Sequence, residues 1–373
     1  MSTLKVGGIR GVSASSDAIT VANDGTCTAN VTNNLSNRRI NVNGDMRIAQ
    51  RYTSDTTTPV FMADRYKAGF GNINVTVTGS QQSLTSSDTP YSLGFRKFGR
   101  IALASAATAG TNDFIEVLHK FEGQDINSSG WDYTSSSSNI TISFWFRCST
   151  NQTFYADLRS KDGTSYVYNF SFTATGNNTW TKITKTIPGN SNVQIDNDNG
   201  GGLDFRIRVY FGSDYTDNVT LDQWRTHSSS AQTQNMDSTW LTAGASTFDV
   251  TGFQFEAGSI ATDFEHRSFG QELALCQRYY IFNGAKMGNC GKSYSMSSFD
   301  MIMSVNYGFP VQMRATPSVT TTDVVLKNDS DGNETANINN LSQYGHQYGI
   351  KKVGGSSEEY AIQIQNFKYA AEL

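Results

Sequence analysis

The chain is short of most groups on which enzymes build their chemistry. Its 373 residues include four cysteines and four histidines, and only 17% are charged. Cys27, Cys148, Cys276 and Cys290 stand far apart with no C-x-x-C pair. That spacing argues against a disulfide scaffold or a structural zinc site, and free thiols that pack as small hydrophobes are expected. His119, His227, His266 and His346 are equally scattered. There is no HExxH, no G-x-S-x-G and no glycine-rich phosphate loop, so zinc-protease, nucleophile-elbow and P-loop chemistry lack their residues. The expectation is a protein that is not an enzyme and needs no cofactor or metal. The net charge is −4 without a long basic run, against the clustered cations a nucleic-acid partner requires. No stretch approaches the ~20 apolar residues of a membrane span, and MSTLKVGGIRGV has no signal-peptide core. Synthesis in a cytoplasm, with no membrane insertion, is expected.

What is present points to sheets. Glycine numbers 33 and aromatics make up 12%, with Ser, Thr and Asn filling turns and strand surfaces. A chain of this length exceeds what one core usually serves. In residues 1–37, two alternating runs flank Asn23-Asp24-Gly25, a hairpin signal too short to bury a core of its own. This segment is expected to attach or oligomerise. From 38 to 267, short strands recur with turns every eight to twelve residues, as in a sandwich or barrel. Strands are expected at 74–78, 140–146, 166–172, 180–187, 205–211 and 248–255. In 140–146, Ile140, Ile142, Phe144 and Phe146 share one face by period two.

Residues 249–280 are the densest stretch. Val250, Phe253 and Phe255 form an apolar strand that Gly258 breaks. Ser268 and Gln271 have capping-box spacing. Leu273, Cys276 and Tyr280 then give a short helix one apolar face. The residues Gln254, Phe255, Glu256, Gly258, Ala261, Thr262, Phe264, Glu265 and Arg267, with the helix ELALCQRYY from Glu272 to Tyr280, resemble the end of a carbohydrate-binding-type jelly roll. That domain occurs in bacteriophage tail fibre and other virion appendage proteins. Upstream, Asn43-Gly44-Asp45-Met46-Arg47-Ile48-Ala49-Gln50-Arg51 resembles the family's opening N-G-x-M-x-I-AQR. Ala63-Asp64-Arg65-Tyr66 resembles its DRW element with Tyr for Trp, and Thr141 to Phe146 its T-x-SFW strand. Asn33 to Arg38 resembles the NNLSNR sequence of marine phage fibre-like proteins. Arg51 and Arg65 are read as ties between strand ends and backbone carbonyls rather than as catalysts.

Residues 268–282 are expected to be a connecting helix, and 283–373 a smaller C-terminal β-sandwich. There Phe309-Pro310-Val311-Gln312-Met313-Arg314-Ala315-Thr316-Pro317 resembles the family's F-P-x-x-MR-x-TP segment, and Tyr369-Ala370-Ala371-Glu372-Leu373 its DAEL ending. Tyr344, His346 and Tyr348 lie in an aromatic, polar stretch suited to a sugar-binding tip loop, although tyrosines at such positions also serve as core. The acidic clusters at 196–202 and 328–333 could offer oxygens to calcium, but Asp-Gly and Asn-Gly are ordinary turn residues, and turns are expected. The resemblance implies an all-β jelly roll in a tailed-phage virion, synthesised in the bacterial host cytoplasm. It further implies a homotrimer joined to other tail proteins through its N-terminal segment and contacting a host surface glycan. The alternatives are a purely structural virion protein, such as a tail adaptor, spike base or capsid appendage, and a cell-surface polysaccharide hydrolase for which no carboxylate pair stands out.

Overall fold

Alternation of apolar and polar residues sets the architecture. The computed structural model describes residues 6–15, 17–21, 23, 27–29, 37–176, 178–283, 287–292, 301–320, 323–327, 334–352, 359–365 and 367–373. At the N-terminal end, β1 (Gly8–Ile9), β2 (Ile19–Val21) and β3 (Cys27–Ala29) pair antiparallel in that order. Val21 pairs with Cys27, and the Asp24-Gly25 turn expected between them lies outside the described residues. These strands are only two or three residues long, and Val6, Ile9, Val12 and Val21 stay exposed.

Two antiparallel sheets follow. One runs β13 (Thr181–Pro188), β10 (Asn139–Cys148), β16 (Thr247–Ala257), β8 (Lys97–Leu103), β7 (Val77–Ser83), β4 (Ser54–Asp55). The other runs β15 (Trp224–Thr226), β12 (Tyr166–Thr175), β11 (Asn151–Ser160), β14 (Gly201–Phe211), β9 (Phe114–Glu122), β6 (Tyr66–Gly71), β5 (Val60–Ala63). The chain crosses repeatedly between them, so this all-β body is a sandwich of jelly-roll type. Its core is strongly aromatic. Phe144 stacks on Phe253 at 5.2 Å and meets Phe172 edge-on at 5.4 Å, and Phe205 meets Phe255 at 4.9 Å. All four expected core residues of 140–146 are buried, and their neighbours Thr141 and Ser143 are buried too. The Thr141 hydroxyl donates to the Gly258 carbonyl at 2.7 Å, which makes its burial tolerable. The strand expected at 74–78 runs instead from Val77 to Ser83. His119 is a core residue of β9, stacked on Tyr66 at 4.6 Å, and burial followed by the nearby Arg65 charge drives its pKa well below the usual value.

The opening motif is a tight corner. Asn43 and Met46 have φ of 56°, a left-handed conformation that Asn tolerates better than most residues. The Asn43 amide donates to the carbonyls of Ile48 and Asp64 at 2.9 and 2.8 Å, and its Oδ1 accepts from the Ile48 N–H. Gly44 lies where a Cβ would come within 2.0 Å of the Phe253 carbonyl oxygen, so only glycine lets the two chains approach.

Short helical turns, α1 (Thr89–Ser92), α2 (Gly123–Asn127) and α3 (Thr239–Thr242), close connections. The expected helix is α4 (Phe269–Gln277), and its capping box is complete: Ser268 accepts from the Gln271 N–H and Gln271 from the Ser268 N–H. Its buried face departs from the expected apolar stripe. Glu272 and Cys276 are buried while Leu273 is only partly so, and Tyr280 opens a strand. The reason is Arg39, whose guanidinium pairs with Glu272 where both side chains are out of solvent. Cys148 and Cys276 are buried free thiols.

Beyond the helix, β17 (Tyr280–Asn283), β25 (Phe367–Ala370) and β20 (Ser318–Thr320) form one three-stranded sheet. A second contains β18 (Met287–Lys292), β24 (Glu359–Gln365) and β21 (Asp323–Lys327), repeating the lateral order of the same chain segments. A third holds β19 (Met301–Gly308), β23 (Gly345–Lys352) and β22 (Glu334–Ser342).

The C-terminal residues come back to the jelly roll. Glu372 accepts from Arg51 at 2.8 Å and Arg65 at 2.5 Å. Arg65 also donates to the Lys120 carbonyl and lies over Tyr279 at 3.5 Å. Arg51 sits between the rings of Phe61 and Tyr280 at 3.8 and 3.7 Å. Both arginines are thus structural ties, as their position at strand ends suggested.

Candidate functional site

The seven-stranded sheet turns its inner face to the core and its outer face to a polar surface. On β14, Phe205, Ile207 and Val209 point inward, so Asp204, Arg206 and Arg208 point outward. Strand registers align this outer face in rows. Arg225, Val167, Arg159, Asp204 and Lys120 form one. Asn169, Asp157, Arg206, Leu118 and Lys67 form the next. Ser171, Tyr155, Arg208, Glu116 and Gly69 form the third.

Charges on this face are laced together. Arg208 donates to Asp157 at 2.7 Å and Glu116 at 2.8 Å, and Arg206 donates to Asp204 at 2.9 Å. Lys161 reaches Asp204 at 3.7 Å. A segment after β15 folds back against the face: the Asn169 amide donates to the Gln232 carbonyl at 3.0 Å, and Arg225 donates to the Ala231 carbonyl at 2.8 Å. Asp157, Asn169 and Arg208 become fully buried as a result.

That burial leaves hydrogen-bonding capacity unspent. Asp157 Oδ1, Asp204 Oδ1, Arg206 Nε, Arg208 Nη2, Arg225 Nε, His227 Nε2 and Thr233 Oγ1 are buried without a partner within the protein. They are seven of the thirteen such side-chain atoms among the described residues. Each unpaired buried polar atom costs about 1–3 kcal/mol, so their concentration on one sheet face calls for ordered water beneath its surface. The field is positive around His227 and Arg159, whereas at Arg206 burial is outweighed by Glu116, Asp204 and Asp157, which raise its pKa. Burial first, and then Arg159, Arg208, Arg206 and Arg225, push His227 down to about 4. Burial and then Arg206 lower the pKa of Arg159, with Asp204 and Asp157 opposing.

A second concavity lies beside α4. This cleft of about 1120 Å³ is lined by Arg38, Phe264, His266, Leu275, Arg278 and Val311, among others. Its polar groups are largely committed. Arg278 holds Glu122 through two bonds of 2.7 and 2.6 Å, Glu265 accepts from the backbone of Asn37 and Arg39, and the His266 ring lies 2.8 Å from the Leu93 carbonyl. It is therefore a joint between segments more than a reader of polar ligands.

The residues singled out in the sequence lie elsewhere. Tyr344 is in the turn between β22 and β23, 62% exposed, with its carbonyl accepting from the Phe309 N–H at 3.0 Å. His346 and Tyr348 are not in a loop: they belong to β23, paired with Tyr307 and Val305. The polar turn residues before and after Tyr344 hid a strand of ordinary length. At 196–202, Asp198 Oδ1 accepts from the Gly200 N–H at 2.8 Å, the local bonding of a turn. The other acidic cluster, 328–333, lies outside the described residues. Among the described residues no group of three or more His, Cys, Asp or Glu could hold a metal ion, and no helix is long and apolar enough to cross a membrane. Sequence reading missed the outer face of β14, although DFRIRVYF carries its signal: charges alternate with large apolar residues on a strand too apolar to be at an edge.

No protein-family model and no curated protein matches the sequence. Among solved structures, the chain is similar to the enzymatically active domain of tailspike protein 4 of bacteriophage CBA120. Identity is 8%, coverage 56% of this chain and 22% of that one, and the TM-score 0.30. It is also similar to a putative sugar-binding protein from Bacteroides thetaiotaomicron, at 5% identity, 59% and 100% coverage and a TM-score of 0.31. A family 11 carbohydrate-binding module from Clostridium thermocellum matches at 9% identity, 58% and 99% coverage and a TM-score of 0.26. The chain thus spans about a fifth of the tailspike domain's length, and its own architecture is defined by the strand orders and registers given above.

Proposed function

We propose that this protein is a glycan-binding appendage subunit of a tailed bacteriophage virion, in the tail fibre or a fibre-like structure, and that it binds without catalysing a reaction. The observation that carries the binding reading is the outer face of the seven-stranded sheet, where Lys161 and Arg206 keep 31% and 14% of their side-chain surface over a polar floor of buried donors and acceptors. A saccharide supplies both in one molecule, because each hydroxyl donates and accepts. The carboxylates there are clasped by arginines, an arrangement for holding a ligand more than for flanking a scissile bond. The virion reading is supported by the motif resemblance between Asn33 and Leu373. The N-terminal sheet supports assembly: strands this short, with Val6, Ile9, Val12 and Val21 exposed, gain stability by pairing with other chains. A homotrimer joined to neighbouring tail proteins through this segment fits, since closed symmetry is the rule for homo-oligomers.

A second contact, at the C-terminal part, is favoured by the 62% exposure of Tyr344 in its turn, with His346 and Tyr348 following in β23. The test is a saccharide array probed with the purified protein, its Arg159→Ala variant and its Tyr344→Ala variant. Binding that Arg159→Ala weakens supports the sheet face. Binding that only Tyr344→Ala weakens moves the contact to the C-terminal turn. Absence of saccharide binding by the intact protein refutes the reading.

A further inference from the structure

The outer face that carries the proposed glycan site has a charge balance unlike that of the chain. The protein as a whole has a net charge of −4. On this face Lys120, Arg159, Lys161, Arg206, Arg208 and Arg225 stand against three carboxylates, Glu116, Asp157 and Asp204. The imbalance is concentrated in one row. Asp157 is spent on Arg208 at 2.7 Å, and Glu116 is divided between Arg208 at 2.8 Å and Arg206 at 3.8 Å. Asp204 is shared by Arg206 at 2.9 Å and Lys161 at 3.7 Å, with Arg159 and Lys120 in register on either side. Asp204, already bonded to Arg206, cannot also neutralise Arg159, Lys161 and Lys120.

The accessible ends of this cluster define what it can take. Arg208 is sealed beneath the folded-back segment, whereas Lys161 keeps 31% of its side-chain surface and Arg206 14%. Arg159 is committed only to the Ser165 hydroxyl at 2.9 Å. A flexible lysine head beside two arginine forks offers converging donors to a planar or tetrahedral oxyanion. Like-charge crowding works in the same direction: burial first, then Arg159, Arg206 and Lys120, lower the pKa of Lys161 against the pull of Asp204, so an arriving anion relieves repulsion that is already present.

Resting on the glycan reading, we propose that the saccharide bound by this face is acidic, with a carboxylate or sulfate held among Arg159, Lys161, Arg206 and Lys120. A neutral sugar would leave the cations unopposed, so discrimination between acidic and neutral saccharides follows from the site itself. The affinity should fall steeply with salt because the cations are partly exposed.

The experiment compares uronic-acid oligosaccharides, their carboxyl-reduced counterparts and sulfated oligosaccharides by calorimetry on the intact protein and on Arg159→Ala/Lys161→Ala. Both residues keep solvent contact, and near-ultraviolet circular dichroism checks that the variant retains its fold. The acidic oligosaccharide should bind, and its carboxyl-reduced form should bind at least roughly tenfold more weakly, as should the acidic form to the double variant. Preference for the uronate over the sulfate, or the reverse, identifies the anion. Equal binding of acidic and reduced forms, with no effect of the double variant, overturns this inference and leaves glycan binding standing. Absence of binding by any saccharide overturns both. Binding of a single-stranded DNA oligonucleotide as tight as that of the uronate would make the face a general polyanion site and overturn the saccharide assignment.

Discussion

Replacing Glu372 tests whether the C-terminal residues hold the jelly roll and the following strands together. Its carboxylate is 13% exposed and bonded to Arg51 and Arg65, which are 10% and 3% exposed. Removing one partner of a buried pair costs about 3–5 kcal/mol, because the other charge stays buried. The low end applies here. Without Glu372, Arg65 keeps the Lys120 carbonyl at 2.6 Å and the Tyr279 ring, and Arg51 keeps Asp64 at 3.6 Å and two aromatic faces. Glu372→Ala should therefore cost about 3 kcal/mol, lowering the melting temperature by about 6–12 °C for a unit of roughly 200 residues. Glu372→Gln keeps the shape and one acceptor but loses the charge, and should cost about 1–2 kcal/mol. The two variants also differ from the native protein in acid. Burial raises the Glu372 pKa, but Arg65, Arg51 and Lys67 outweigh it, so the folded value lies below the usual 4.5. The contribution is thus complete above that usual value and is lost as pH falls through the folded one. Urea unfolding followed by near-ultraviolet circular dichroism between pH 3 and 7 measures it. A Glu372→Ala cost under about 1 kcal/mol at pH 7, or a gap from Glu372→Gln that does not narrow in acid, would refute the clamp.

Further outcomes follow from the same geometry. Gly44→Ala puts a methyl 2.0 Å from the Phe253 carbonyl oxygen and should destabilise by about 3 kcal/mol, read as a lower urea midpoint; an unchanged midpoint would mean the corner yields freely. Phe144→Ala removes a ring that touches Phe172, Phe205 and Phe253 and should cost about 3–5 kcal/mol in the same assay. The His227 ring proton should titrate by NMR near 4, with its midpoint rising in Arg159→Ala. Its folded pKa lies below the unfolded value, so its influence on stability is absent at neutral pH and grows unfavourable as pH falls toward 4; a midpoint near 6.5 would place His227 outside the cation cluster. Light scattering should give a trimer that dissociates when residues 1–37 are removed, and a monomeric intact protein would exclude that assembly.

Strands were legible where one face alternates cleanly, as in Ile140, Ile142, Phe144 and Phe146, because period two survives any choice of neighbours. The cap of α4 was legible because Ser268 and Gln271 satisfy each other locally. Its buried face was not, since Glu272 is admitted to the interior by Arg39, more than two hundred residues away. The outer sheet face escaped for a related reason. In sequence, Asp204, Arg206 and Arg208 are the solvated side of an amphipathic strand, whereas in the fold Asp204 and Arg208 are buried and a segment returns through Gln232 onto the same face. Tyr344, His346 and Tyr348 drew notice as aromatics among polar residues, a pattern shared by a binding loop and by the start of a strand.

The pairing of Tyr280 with Ala370 has a bearing on how such a chain diversifies. It sets the two ends of everything between Asn283 and Phe367 on adjacent strands, about 5 Å apart. A segment that leaves and rejoins its host at neighbouring points behaves as an exchangeable cassette. Changing the sequence between those points leaves the α4 joint, the Glu372 tie and the charged sheet face in place as long as Arg314 still meets Asn199 and Ala371.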